Sequence, residues 1–172
     1  MKKADTHLVR HLSTEEVQAL LDAPKPTDWA GIRDRAMLHL CFAAGLRAGS
    51  ELTSLRLEDL SLNPQASILV HGKGRRERCL PLWKPTAAAL RAWLTVRGTV
   101  LSPELFVNAR REPMTRSEFE YILEKHVHAA SKRCPSITTK RISPRVLSAH
   151  RWDRCIMLKH CERRDRVDSG PP

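Results

Sequence analysis

Residues 43–60 read AAGLRAGSELTSLRLEDL, and the way this stretch is broken decides the fold. An apolar run arrives at a corner made by Gly45, Leu46 and Arg47. Leu52, Leu55 and Leu57 then recur at a spacing that suits one buried face of a third helix ending near Leu55. Gly45 separates the two periodic segments, so Arg47 falls where one helix ends and the next begins. A guanidinium between two apolar elements is costly to bury unless an anion meets it. Two anions qualify: the carboxylate of Glu51, as an internal pair, or an external phosphate.

Upstream of the corner, Ser13 and Glu16 have the form of a capping box, and Val17, Leu20 and Leu21 follow at helical spacing until Pro24 and Pro26. A second helix is expected over 29–44. Its apolar stripe is Ile32, Ala36, Met37, Leu40 and Cys41, with Arg33, Asp34 and Arg35 around the outside. Downstream the pattern changes to that of a β-hairpin. Residues 67–70 are a short apolar run, residues 71–76 (HGKGRR) are a Gly-flanked basic turn, and residues 77–82 begin with polar–apolar alternation. Pro85 opens a further helix with Ala88, Ala89, Ala92, Trp93 and Val96 as its expected buried side. Residues 105–107 read as a brief extended piece. Thr115 and Glu118 suit another capping box, ahead of a helix over 117–130. Ile142, Ser143 and Pro144 resemble one more helix entry, with a weakly patterned helix over about 145–158 and an unfolded end.

The 172 residues suffice for one domain, and at 41% hydrophobic content the chain is ordinary for a globular protein. Its net charge of +11 and pI near 10.0 are not ordinary. That excess favours a polyanion, with nucleic acid the first choice. There is neither a long apolar span nor a secretory leader, so a membrane partner is not expected. Five cysteines at irregular spacing argue against a disulfide framework and for a reducing, cytoplasmic setting. At 5% aromatics the chain lacks the stacking residues of a protein built to hold single-stranded RNA.

Lys73 lies between Gly72 and Gly74, where a lysine approaches a phosphate backbone unhindered or simply decorates a solvated turn. Arg75, Arg76 and Arg78 add to the same basic hairpin. The Cys155, His160 and Cys161 group has no second paired motif at finger spacing, so no metal and no cofactor are expected. His126 and His128 flank Val127 and would point apart. Cys41 and Cys79 read as apolar residues of a helix and a strand, and Trp29, Trp83 and Trp93 as core or core-edge residues.

Taken together, the AGLR corner, the acid after it, the Glu58-Asp59-Leu60 ending and the hairpin HGKGRRERCLPL resemble the tyrosine recombinase, or phage-integrase-type, family. The resemblance begins near Leu12 (LSTEEVQALL) and continues to Ile142-Ser143-Pro144. It implies a catalytic domain that is mainly α with a small antiparallel β-sheet (α+β), clamping double-stranded DNA, with neither a membrane nor a small-molecule substrate involved. In that family a tyrosine attacks the scissile phosphate, two arginines hold its non-bridging oxygens, and a hairpin lysine helps protonate the leaving 5′-oxygen. Arg47 falls on the first arginine and Lys73 on the lysine; Arg47, Lys73, Arg75 and Arg76 are the expected DNA-binding residues. The family usually places the acid three residues after the arginine, whereas Glu51 comes four after Arg47, a step that rotates the segment.

The second half of the family's site follows an Ile-Ser-Pro-like entry with His-x-x-Arg and then the nucleophile. The aligned positions here are Arg145 and Ser148, while His150 and Arg154 stand at another spacing. Tyr121, the one tyrosine, lies before that entry and reads as an amphipathic residue of a half-buried helix. The expected organisation is therefore an N-terminal tail over 1–11, a partial catalytic domain over 12–144, and an aberrant basic tail over 145–172 left by truncation or a shifted reading frame. A chain of this kind is expected to belong with site-specific DNA recombination, integration or transposition, and to be inactive alone. The alternative is a non-enzymatic DNA-binding remnant, or a partner of intact recombinase subunits.

Overall fold

Helix α2, Trp29–Ala44, takes part in the largest helix–helix packing of the fold. The computed structural model describes residues 12–72 and 77–139. Before α2 comes α1, Thr14–Leu21, whose capping box forms as expected: Glu16 N–H donates to Ser13 Oγ at 3.3 Å, and Ser13 N–H to Glu16 Oε2 at 2.6 Å. Helix α2 is buried on more sides than a single stripe. Leu38 and His39 are buried beside Ala36, Met37, Leu40 and Cys41, because α3 covers one flank while α1 and the corner segment cover others.

The charges at the start of α2 correct the expectation of a solvated outer face. Arg33 is 8% exposed and Asp34 fully buried. Asp34 Oδ1 accepts from Arg33 Nε and a terminal guanidinium nitrogen, at 3.0 and 2.7 Å, and Asp34 Oδ2 pairs with His126 Nε2 at 2.8 Å. His126 lies on α4, Arg116–Ser131, so this polar knot joins two helices through the core. His128, on the same helix, is exposed, so the two histidines do point apart.

Gly45 ends α2 in the left-handed region, φ 59° and ψ 39°, where only glycine is free of Cβ crowding. The expected third helix is instead a single π-helical turn, Ala48–Leu52. The carbonyl of Arg47 accepts from both Glu51 N–H, at 2.9 Å, and Leu52 N–H, at 3.0 Å. A π turn accommodates one residue more than an α turn, so the extra residue between Arg47 and Glu51 is taken up locally. Leu52 and Leu55 are buried, but Leu57 is 36% exposed because the chain has already turned into the 3₁₀ segment Leu57–Asp59.

A three-stranded antiparallel sheet follows in the order β1-β2-β3: β1 is Leu60–Ser61, β2 is Ser67–His71 and β3 is Glu77–Pro81. The hairpin is legible in the sequence; the two-residue β1 is not. Register places Ile68 opposite Leu80, Val70 opposite Arg78, and His71 opposite Glu77. Residues directly opposite share a face of the sheet, so Arg78 stands beside the buried Val70, whereas Cys79 opposes Leu69 on the other face and is exposed rather than apolar filling.

Helix α3, Lys84–Arg97, buries Thr86, Ala87, Ala89, Leu90, Trp93 and Arg97. Ala89 and Trp93 match the expected face, while Ala88 and Ala92 are exposed, a rotation of about one position. Trp93 is fully buried, edge-on to Trp29 and stacked with Phe106, with its indole N–H donating to Leu105 O at 2.9 Å. Trp29 and Trp83 are partly buried at the rim. Helix α4 starts at the Thr115–Glu118 capping box and packs on α1 and on the 3₁₀ segment Pro135–Thr139. Tyr121 is 70% exposed on α4, a helix half-buried through Phe119, Ile122, Leu123, His126 and Ala130.

Candidate nucleic-acid interface

The corner is built by three local devices: the left-handed Gly45, the π turn and the buried acid Glu51. Glu51 is 4% exposed and its Oε2 takes two donors. One is the backbone N–H of Arg47, at 3.0 Å; the other is the guanidinium of Arg78 on β3, at 2.8 Å. The internal pair between the Glu51 carboxylate and the Arg47 guanidinium is therefore not formed. Glu51 holds the backbone of Arg47 and leaves its side chain outside. Arg47 is exposed, and its guanidinium makes no hydrogen bond or ion pair among the described residues.

Arg78 has a different task from the one its sequence context implies. It spans from hairpin to corner, neutralises Glu51 and docks the sheet against the π turn. Sequence reasoning finds its charge but not its partner, which lies 27 positions away. The register offers the only local signal: an arginine opposite an apolar residue of β2 must face the core side. Lys73, Arg75 and Arg76 lie outside the described residues, as do Ile142–Pro144, Arg145, Ser148, His150, Arg154, Cys155, His160 and Cys161.

At the mouth of the hairpin, His71 bridges two carboxylates. Its Nε2 is 2.9 Å from Asp59 Oδ1 and its Nδ1 is 3.1 Å from Glu77 Oε1. The hydrogen bond with Asp59, then the charges of Asp59 and Glu77, raise the His71 pKa above its ordinary 6.5. Asp59 is itself fixed, since its Oδ2 accepts from Arg56 N–H at 2.8 Å. Among the described residues, no group of three His, Cys, Asp or Glu side chains is placed to hold a metal ion.

Among the described residues, the Arg47 guanidinium thus stands unpaired beside a carboxylate already satisfied by Arg78 and by the Arg47 N–H. A profile of the phage integrase family matches residues 10–147. The chain belongs to that family. This integrase-family chain is 38% identical over 169 residues to a Sinorhizobium fredii protein named as an integrase/recombinase, y4rC, covering 98% of this chain and 47% of that protein. It is 40% identical over 129 residues to tyrosine recombinase XerD of Pseudomonas aeruginosa, covering 72% of this chain and 43% of XerD. The chain spans about half the length of the curated relatives it matches.

Solved structures agree on the fold. XerA recombinase superposes with a TM-score of 0.67 at 24% identity, over 80% of this chain and 47% of XerA. The lambda integrase catalytic core superposes with a TM-score of 0.53 at 16% identity, over 84% of this chain and 94% of that core. The mainly helical architecture with its small antiparallel sheet is that of tyrosine recombinase catalytic domains. Among the described residues, no helix is long and apolar enough to cross a membrane.

Proposed function

We propose that this chain grips double-stranded DNA by its phosphates, as part of a site-specific recombinase or integrase catalytic domain. In this reading Arg47 holds the non-bridging oxygens of the scissile phosphate, Lys73 approaches the leaving 5′-oxygen, and Arg75 and Arg76 meet the flanking backbone. The observation that carries it is the division of labour at Glu51. A buried acid satisfied by Arg78 and by the Arg47 N–H leaves the exposed Arg47 guanidinium with its planar fork unused among the described residues. That fork matches phosphate geometry. The net charge of +11 supports a polyanionic partner. Related folds have been solved on DNA: XerH on a palindromic difH substrate and a lambda integrase dimer on a core site. Duplex DNA and further recombinase subunits are accordingly the partners we assign. A cytoplasmic location goes with this reading, supported by the free thiols of Cys41, Cys79 and Cys134.

The covalent step does not belong to these residues in our reading. Arg145 and Ser148 stand where His-x-x-Arg would follow the Ile-Ser-Pro entry, and Tyr121, the single tyrosine, is on α4 ahead of it. A transferable phosphate held without a nucleophile gives binding and no phosphotyrosyl link. Fluorescence anisotropy with a duplex across a salt series tests the grip. The affinity should fall steeply with salt, and Arg47→Ala should weaken binding and lower the log–log salt slope by about one. Equal slopes for the two proteins would exclude Arg47 as a phosphate ligand. Incubation with a nicked suicide duplex should yield no covalent adduct; an adduct mapping to Tyr121 would overturn the second part.

A further inference from the structure

His71 is the last residue of β2 and Glu77 the first of β3, so the pair closes the mouth of the loop that carries Lys73. Each ring nitrogen of His71 faces a carboxylate oxygen, Asp59 Oδ1 at 2.9 Å and Glu77 Oε1 at 3.1 Å. A neutral imidazole has one N–H, so it satisfies one of these acceptors and turns a lone pair toward the other. Only the imidazolium donates to both. The carboxylates sit on opposite sides of the ring, so they do not converge on a shared metal ion with it.

We propose that His71 is a positioning residue, a protonated clasp that ties both strands of the hairpin to the Leu57–Asp59 turn and makes the grip on DNA depend on pH. This rests on the reading that the hairpin tip meets phosphate. Asp59 is a fixed post, buried and held by Arg56 N–H, and Glu77 belongs to the opposite strand. Protonation of one ring therefore joins three segments: the 3₁₀ turn, β2 and β3. Among the described residues, the other charged groups around it are already engaged. Arg56 is paired with Glu58 through its guanidinium, and Arg78 lies on the other face of β3, paired with Glu51. The upward shift of the His71 pKa accords with two carboxylate neighbours. The sign follows: the clasp is complete below the ordinary imidazole pKa and is lost as pH rises through the raised value. The released ring takes with it a positive charge two positions from Lys73.

The experiment is a pH series of duplex binding by anisotropy at fixed ionic strength, on the wild type and on His71→Gln, with the His71 imidazole followed by NMR in the free protein. The glutamine amide keeps a donor group and an acceptor but carries no charge at any pH. Wild-type affinity should fall about fivefold across the His71 titration, while His71→Gln stays near the wild type's high-pH value throughout. A variant with the same pH step, or a His71 ring titrating at or below its ordinary pKa, would overturn the clasp. If neither protein binds duplex at any pH, the DNA reading fails and the clasp is still decided in the free protein. The Gly72 and Glu77 amides must then shift in step with the His71 ring in the wild type, and their failure to do so counts against it.

Discussion

Arg78 reaches from the edge strand of the sheet to the buried carboxylate of Glu51, closing at 2.8 Å. The same oxygen accepts the Arg47 N–H, so one carboxylate sets the backbone of the corner and the seat of the hairpin together. The arrangement explains how an exposed arginine can be held in place without being neutralised. Its backbone is fixed by an acid whose charge is spent elsewhere.

Removing Arg78 should therefore damage the corner more than its half-exposed position implies. Arg78→Ala strands Glu51, whose side chain is 4% exposed, with a single backbone donor. Breaking a fully buried pair costs about 3–5 kcal/mol; with one partner in contact with water the expected loss is about 1–3 kcal/mol. Glu51→Gln keeps an acceptor for the Arg47 N–H and should lose less. Urea titrations of the two variants check the order, and an unchanged Arg78→Ala midpoint would contradict it.

The Asp34 knot makes a pH-dependent contribution of the opposite sign to that of His71. Burial alone would raise the Asp34 pKa, but the hydrogen bond from His126 and the charge and hydrogen bonds of Arg33 outweigh it, holding the carboxyl below its ordinary 3.8. A depressed folded-state pKa gives stability that is complete above the unfolded value and lost as pH falls through the folded one. Asp34→Ala should cost about 3–5 kcal/mol at neutral pH, because it leaves Arg33 and His126 facing an empty buried site. It should also flatten the acid limb of stability below about pH 4. Chemical denaturation as a function of pH measures both effects; an acid limb as steep as the wild type's would remove Asp34 from the account.

These two knots show where the sequence stops being legible. The capping boxes at Ser13 and Thr115, the Trp29–Ala44 helix and the β2–β3 hairpin are readable because each rests on signals a few residues apart. Arg33 and Asp34 read as solvent-facing because a charge on a periodic helix is outside by default; the far partner of Asp34, His126, lies 92 positions away. The Arg78–Glu51 pair escapes sequence reasoning for the same reason. Helix α3 is placed correctly but turned by about one position, since in its alanine-rich stretch each small residue suits either face. At the candidate site, the corner that carries Arg47 is readable, but the use Glu51 makes of its carboxylate needs the fold.

Gly31 sets helix propensity against close packing. Alanine is favoured over glycine inside a helix by about 1 kcal/mol, so propensity alone predicts a gain from Gly31→Ala. A Cβ there would stand 2.0 Å from the Lys25 carbonyl oxygen, and that atom is backbone in the link between α1 and α2. The link must move, and overpacking of this kind costs about 1–3 kcal/mol. The clash should win, lowering the thermal midpoint by several degrees in a circular-dichroism melt. A rise in the midpoint would mean that the Pro24–Pro26 segment yields freely.

The π turn at Ala48–Leu52 offers a direct test of how the corner absorbs its extra residue. Arg47 O accepts from both Glu51 and Leu52, the bifurcated ending of a turn that holds one residue more than an α turn. Deleting Gly49 would restore the three-residue separation of arginine and acid that the family usually shows. It would convert the π turn to an α turn without asking Leu46, Leu52 or Leu55 to leave the core. The deletion should be tolerated within about 1 kcal/mol, since it also removes a glycine from a helical position. Inserting an alanine after Gly49 should be far worse, because no regular turn takes up a second extra residue and Glu51 would swing away from the Arg47 N–H. Thermal melts of the two variants separate the cases. If the deletion unfolds the chain while the insertion does not, the π turn is not what reconciles the spacing of Arg47 and Glu51.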